Sequence, residues 1–410
     1  MAGKKRHDRR KGNVSNSKPL PPPKKAVEKR EDVISKLPDD ILVHILTMCP
    51  YSDAVRTAAV SRRWQHLHTQ LPGVLLSMSV LGLLNSSLGE PSEQRVQSME
   101  RTLRRRLHDG NHHTIELLRI LYRKDVPFEC KYVNKFIALA NAPRLELHVQ
   151  CAKGLLDEDA GEWSLELPPA TTQLKLRPYW YAVRPPRLHG PTVNSLRQLI
   201  LNGMVVLRQE FLDNVFLPSL EELHIVKCTL PASIEITSGG MPRLKRLRVS
   251  NVAVMSDTTK AGIAVLADEL TTLHVTCSCQ TEPMSSDPGW FISPSRFRAV
   301  FTRYSCFRLR APKLRVFDWH CCYADEVRVD SVGCLSDVAV QLAAGRLPRL
   351  GHQESTCLTM EDCDKQMKGI LRELMPGLRP RKWNYIERKC VKRDERWLCF
   401  EISSITPKYD

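Results

Sequence analysis

Aromatic residues make up only 6% of this 410-residue chain, so aliphatic side chains, leucine above all, must supply most of any core. No window approaches the roughly eighteen consecutive apolar residues that a membrane-spanning helix needs, and no membrane association is expected. The basic N-terminal stretch runs into prolines and not into an apolar segment, so it does not read as a secretory leader. The chain has no Gly-rich phosphate loop, no His-Glu-x-x-His and no nucleophile elbow. Fourteen cysteines are present, but they form no regular framework. Cys277-x-Cys279, Cys321-Cys322 and the Cys357/Cys363 pair all lack the doubled Cys-x2-Cys spacing of a structural zinc site. These thiols are expected to be free and buried, in the reducing environment of the nucleus or cytoplasm. The pairs His112-His113 and His66/His68 are expected at the surface. No catalytic residue, metal or cofactor is therefore expected, and the chain is not expected to be an enzyme.

What the sequence does contain is a large net positive charge, +16, with 42% hydrophobic residues. The apolar fraction suffices for a core. The charge raises nucleic acid as a partner, but its distribution argues otherwise. Residues 1–30 hold eleven Lys/Arg against two acids, which concentrates +9 there and leaves +7 for the rest. Residues 1–30 are expected to be a disordered basic tail. The two clusters within it, Lys4–Lys11 and Lys24–Arg30, have the form of a bipartite import signal; a solubilising tail is the alternative.

From residue 31 apolar periodicity begins. Pro38 suits the first turn of a helix in which Ile41, Leu42, Ile45 and Leu46 recur at i, i+1, i+4 and i+5. A second short helix starts near Asp53 and presents Val55, Ala59, Val60, Trp64 and Leu67. A helix pair of this size buries little by itself and needs something to cover its apolar side. Residues 74–141 read as helical and irregular, with four arginines between Met99 and Leu107 on a solvated helix face.

From 142 a pattern of apolar-x-x-apolar-x-apolar returns, as in Leu196/Leu199/Leu201, Leu220/Leu223/Ile225, Leu244/Leu247/Val249, Leu270/Leu273/Val275 and Leu314/Phe317/Trp319. The paired anchors starting at 145, 174, 199, 223, 247, 273 and 317 stand 24 to 29 residues apart except for a last gap of 44. That period lies inside the leucine-rich-repeat range; the long gap needs an insertion or a degenerate copy, and the prolines clustered after Glu282 favour an insertion near 280–310. One repeat cannot bury its apolar row; a stack can. The residue between the anchors faces out, which makes Glu146, Lys175, Ile200, His224, Arg248, His274 and Asp318 the candidate contact positions. After 355, a helix over Leu358–Leu374 and closing strands near Trp383–Val391 and Trp397–Ile402 are predicted as a terminal cap.

The run Leu37-Pro38-Asp39-Asp40-Ile41-Leu42, with Ile45-Leu46 and Val60-Ser61-Arg62-Arg63-Trp64 behind it, resembles the F-box motif. Joined to repeats of this length it looks like the plant F-box/leucine-rich-repeat proteins, and the segment from 355 is similar to the FBD-like end module found in part of that family. The resemblance implies an α/β fold: a helical F-box at 31–73, a linker or array start at 74–141, a solenoid of short parallel strands with helical or irregular return segments at 142–354, and a cap at 355–410. It also implies a role without catalysis, as the target-choosing subunit of a Skp-cullin-F-box ubiquitin ligase. A Skp-type adaptor, itself joined to a cullin-RING ligase, would be held by Leu37, Pro38, Ile41, Leu42, Ile45, Val60 and Trp64. An unknown protein target would be held by the outward repeat positions. An F-box scaffold outside any ligase, and a basic nucleic-acid-associated protein, are the alternatives.

Overall fold

The computed structural model describes residues 33–49, 51–78, 93–108, 114–123, 127–150, 163–178, 184–204, 216–230, 233–250, 252–254, 262–276, 303–332, 335, 337–344, 384–389 and 396–402. The basic tail, the helix expected over Leu358–Leu374 and most of the expected insertion lie outside these residues.

Helix α1 (Asp39–Thr47) starts after Pro38, with Asp39 and Asp40 in its first turn. Proline lacks the N–H that a first turn leaves unpaired, and the two carboxylates oppose the positive end of the helix dipole. Leu42 and Leu46, four residues apart, are its buried residues. Helix α2 (Tyr51–Arg56) is six residues long. It passes through a 3-10 turn at Thr57–Ala59 to a second at Leu67–Gln70. Asp53 does not cap it; its carboxylate accepts from Arg56 at 2.9 Å within the helix.

Strand β1 (Gly73–Ser77) follows, then α3 (Glu93–His108), β2 (Leu117–Arg123), α4 (Pro127–Ala140) and β3 (Arg144–Gln150). Next come β4 (Ser164–Glu166), β5 (Gln173–Pro178), β6 (Arg187–His189), β7 (Gln198–Asn202), β8 (Glu222–Val226) and β9 (Thr229–Leu230). These lead to β10 (Ser233–Thr237), β11 (Arg246–Ser250), β12 (Ala253–Val254), β13 (Gly262–Leu266) and β14 (Thr272–Thr276). The last are β15 (Arg303–Ala311), β16 (Val316–Val332), β17 (Asp337–Ala344), β18 (Asn384–Lys389) and β19 (Arg396–Ile402). The chain is α/β, with a helical start and strands that are mostly parallel.

The main sheet runs β1-β2-β3-β5-β7-β8-β11-β14-β16 in chain order, every pair parallel. Its registers align the apolar anchors. Val74, Leu118, Leu145, Leu174, Leu199, Leu223, Leu247, Leu273 and Phe317 form one continuous column across the strands. All nine are buried, and each such side chain removed from water stabilises by about 1.5–3 kcal/mol. A recurring backbone bond ties the strand entries together: Arg197 N–H donates to Thr172 O, Glu221 to Arg197 O, Lys245 to Glu221 O and Thr271 to Lys245 O, all at 2.8–2.9 Å.

The structure corrects the expected return segments. Among the described residues α3 and α4 are helical returns, between β1 and β2 and between β2 and β3; from β8 on, the described returns are strands. β10, β13 and β15 pair in parallel with one another and then with the distal half of β16, whose seventeen residues therefore serve both rows of strands. Ile234/Ile236, Ile263/Val265 and Phe307/Leu309 alternate inward along these strands and are buried, the period-2 pattern of a half-buried strand. β15 pairs in register with β13, Cys306 opposite Gly262. Residues 303–310, at the end of the expected insertion, thus form a strand of this second row. The sheet also starts earlier than the repeat spacing indicates, because β1 and β2 precede residue 142. At the far end β17 joins β16 in parallel, and β19 and β18 follow antiparallel.

The helical start and the sheet share one apolar core that runs without a break from Leu42 and Tyr51 through Leu71 to Val74 and beyond. Arg106 of α3 is buried between them. Its guanidinium donates to the Leu71 carbonyl and lies 5.7 Å from the centre of the Tyr51 ring. Burial lowers the Arg106 pKa, partly opposed by Tyr51, and burial raises the Tyr51 phenol, partly opposed by Arg106. Replacing Arg106 by alanine leaves the Leu71 carbonyl without this donor and opens a void. The expected loss is about 1–3 kcal/mol of stability, read as a lower thermal midpoint in calorimetry.

Candidate functional site

Two surfaces stand out. The first is on the helical start. Leu42 (0% exposed) and Leu46 (2%) turn α1 toward the core, which puts Ile41 and Ile45, one position earlier in each turn, on the outside. Ile41, Ile45, Met48 (68%) and Val60 (72%) are all exposed, as are Val33 and Ile34 in the turn before α1. The residues expected to hold an adaptor divide accordingly. Ile41, Ile45, Val60 and Pro38 are exposed. Leu37 and Trp64 are half-buried, packed on the core. Leu42 lies inside and belongs to the core beneath that face. Met48, Val33 and Ile34 were not among the expected contacts; Met48 stands at i+3 from Ile45, the other helical spacing that continues the Ile41/Ile45 stripe.

Arg63 explains why Leu-Pro-Asp-Asp and Ser-Arg-Arg-Trp occur together. Its guanidinium holds the Asp39 carboxylate at 2.6 Å and donates to the Leu37 carbonyl. The turn after Val60 is thereby tied to the start of α1. Both partners are well exposed, so the pair orients more than it stabilises.

The second surface is the outward side of the main sheet. The seven expected contact residues stand side by side across successive strands: Glu146, Lys175, Ile200, His224, Arg248, His274 and Asp318 are neighbours in register. Their chemistry is more interlocked than the sequence shows. Glu146 accepts from Arg119 at 2.7 Å and from Lys175 at 3.3 Å, with His148 Nε2 3.9 Å away. His148, Arg119 and Lys175 together, against partial burial, hold its pKa down to about 2. The His148 contact is long, and Arg119 is the nearest of the three partners. Glu222 accepts from Gln198 (2.7 Å) and Arg246 (2.9 Å) and meets His224 at 2.9 Å. Burial pushes its pKa up, but Arg246 and His224 outweigh it and the net direction is down. Asp318 pairs with His274 at 3.0 Å.

Because the folded Glu146 carboxyl ionises below its ordinary value of 4.5, its contribution is present above that value and is lost as pH falls toward about 2. With its side chain partly solvated, the contribution is about 1–2 kcal/mol. Glu146→Gln is expected to remove that part of the acid sensitivity, measured as urea midpoints at neutral pH and at pH near 3.

Among the described residues no three His, Cys, Asp or Glu side chains group as a metal site, and no described helix is long and apolar enough to cross a membrane. Cys228 is buried and donates to the Leu201 carbonyl at 3.3 Å. Burial pushes its thiol pKa up to about 12, which makes it a packing residue and not a nucleophile.

Residues 34–67 match the F-box domain family. The chain is also similar to proteins of Arabidopsis thaliana. F-box/LRR-repeat protein 13 is 25% identical over 55% of this chain and 45% of its own length. An F-box/FBD/LRR-repeat protein is 24% identical over 53% and 42%, and a putative F-box/LRR-repeat protein 25% over 29% and 29%. The chain spans less than half the length of these curated relatives. No solved structure matches.

Proposed function

We propose that this plant F-box/LRR-type protein is the target-recognition subunit of a Skp-cullin-F-box ubiquitin ligase, with no catalysis of its own. Two elements divide the work. The helical start docks on a Skp-type adaptor, and the repeats, wound as a leucine-rich-repeat solenoid, hold the protein to be modified. β18 and β19 close the end of that array. The rate gain comes from proximity: a target lysine held beside a charged conjugating enzyme meets it at high effective concentration.

The observation that carries this reading is the exposure of Ile41, Ile45, Met48 and Val60 in the helical start. Four aliphatic side chains left in water on so small a helix cluster are costly unless covered. F-box domains generally cover such side chains with a Skp-type adaptor. The outward sheet positions, polar and varied where the inward ones are uniformly apolar, suit a protein partner better than an apolar small molecule.

The direct test is co-expression of the full chain with a plant Skp-type adaptor, followed by size-exclusion chromatography. Co-elution as a stoichiometric complex is the expected result. Separate elution of two folded proteins at micromolar concentration would remove the ligase reading and leave an F-box scaffold with another purpose.

A further inference from the structure

We propose that the outward side of the main sheet takes an extended acidic segment of the target, of the form acidic-x-apolar-x-acidic, anchored by Arg177 at one end and Arg248 at the other. This deepens the reading above, since it assumes that this side of the sheet is where a target is held.

The carboxylates on this side are already engaged: Glu146 with Arg119 and Lys175, Glu222 with Gln198 and Arg246, and Asp318 with His274. Arg177 and Arg248 differ. Both are exposed, and neither meets a carboxylate among the described residues; Arg248 donates only to the Ser250 hydroxyl, at 3.1 Å. The surface is thus left with two arginines that no carboxylate of the described residues pairs, and an anionic partner completes them.

Their placement sets the spacing. Arg177 is on β5 and Arg248 on β11, with β7 and β8 between them. Arg248 is in register with Lys175, so Arg177 stands two residues further along its strand, and three strand separations with that offset amount to about 16 Å. An extended peptide running diagonally over the strands advances about 3.4 Å per residue, so residues i and i+4 stand about 14 Å apart and share one face with i+2, and the long arginine side chains span the remaining difference of about 2 Å. Under that middle residue lie Ile200 and Val226, both half-buried on the outward side of the two intervening strands. An apolar side chain at i+2 covers them while its neighbours' carboxylates reach the two arginines.

The same features favour protein over nucleic acid. A phosphate backbone needs a continuous run of cations and aromatic platforms for its bases. Here the cations fall in two groups separated by aliphatic residues, three carboxylates stand among them, and no described outward position of β1 to β14 carries a Phe, Tyr or Trp.

The test is fluorescence anisotropy on the full chain. Three labelled peptides are used: one centred on Glu-Ser-Leu-Ser-Glu, one with both glutamates replaced by lysine, and one with the leucine replaced by alanine. A labelled single-stranded RNA serves as the fourth probe. The acidic peptide is expected to bind in a salt-sensitive manner and the lysine peptide not to bind. The double variant Arg177→Glu/Arg248→Glu should weaken the acidic peptide about tenfold, as for two exposed attractions turned into repulsions. Ile200→Asn should weaken the leucine peptide and leave the alanine peptide unchanged. Both arginines are exposed, so an unaltered circular dichroism spectrum is expected to accompany the double variant. Equal binding of acidic and lysine peptides, indifference to the double charge reversal in a folded protein, or tighter retention of RNA through the same arginines would each overturn the proposal. Adaptor capture is scored on the same samples. Loss of peptide binding with capture intact removes this surface alone, whereas peptide binding without any capture by the unmodified chain removes the ligase reading alone.

Discussion

A chain carrying Ile41→Asp and Ile45→Asp no longer captures a Skp-type adaptor, yet folds and melts close to the unmodified protein. Both side chains are exposed in the free chain, so aspartates there stay solvated and cost little stability beyond their lower helix propensity. In a complex the same positions are desolvated. Two carboxylates buried without partners cost at least about 4 kcal/mol, about a thousandfold in affinity. The matching control is Leu42→Ala. Leu42 is one residue further along the same helix but fully buried. Its truncation costs about 2–5 kcal/mol of stability and is expected to lower the melting midpoint in the absence of any adaptor. Pull-down and calorimetry on the two variants separate the face from the core. Capture that survives the double aspartate variant shows that the adaptor, if there is one, sits elsewhere.

The second large effect is in the core at the junction of the two rows of strands. Trp319, Phe307 and Phe317 are all fully buried. The Phe307 and Trp319 rings stack at 4.7 Å, and Phe317 meets them tilted at 6.3 Å and edge-on at 6.2 Å. In a chain with so few aromatics this cluster is a concentrated source of packing. Trp319→Ala is expected to cost about 3–5 kcal/mol, with further loss of ring contacts worth about 0.5–1.5 kcal/mol each. Trp319→Phe is expected to cost far less. The buried indole N–H has no hydrogen-bond partner among the described residues, and phenylalanine removes that unmet donor along with the volume. Urea unfolding followed by circular dichroism distinguishes the two substitutions. Equal losses would mean that the six-membered ring alone does not fill the space.

The column of leucines was legible because its signal is strong and local: each anchor repeats at a nearly constant interval, and equal intervals place equal residues in register. The F-box was legible for a related reason, since Arg63, Asp39 and the Leu37 carbonyl form one contact that needs all three positions. Other features were hidden by real ambiguity. Along α1 two adjacent apolar rows, Ile41/Ile45 and Leu42/Leu46, carry equal hydrophobicity, and sequence alone does not say which one faces in. β1 and β2 were missed because they are separated by arginine-rich helical sequence, which breaks the regular interval. The return strands were missed because Ile234/Ile236 and Ile263/Val265 give only two inward residues each, too short an alternation to distinguish from an irregular connection. On the outward side, the seven candidate positions could be picked out from spacing. That Glu146 is taken up by Arg119 could not, because Arg119 lies on a strand the spacing did not reveal.

The unbroken core from α1 to β1 has a consequence for distance. With the helical start seated directly on the first strand, strand rank works as a ruler: each step along the sheet moves a surface point about 4.8 Å further from the docking end. Under the proposed roles, cargo gripped between β5 and β11 rides about 14 to 29 Å along that scale. Inserting or deleting a single repeat would therefore shift which of its lysines comes within reach, with no change to the grip itself.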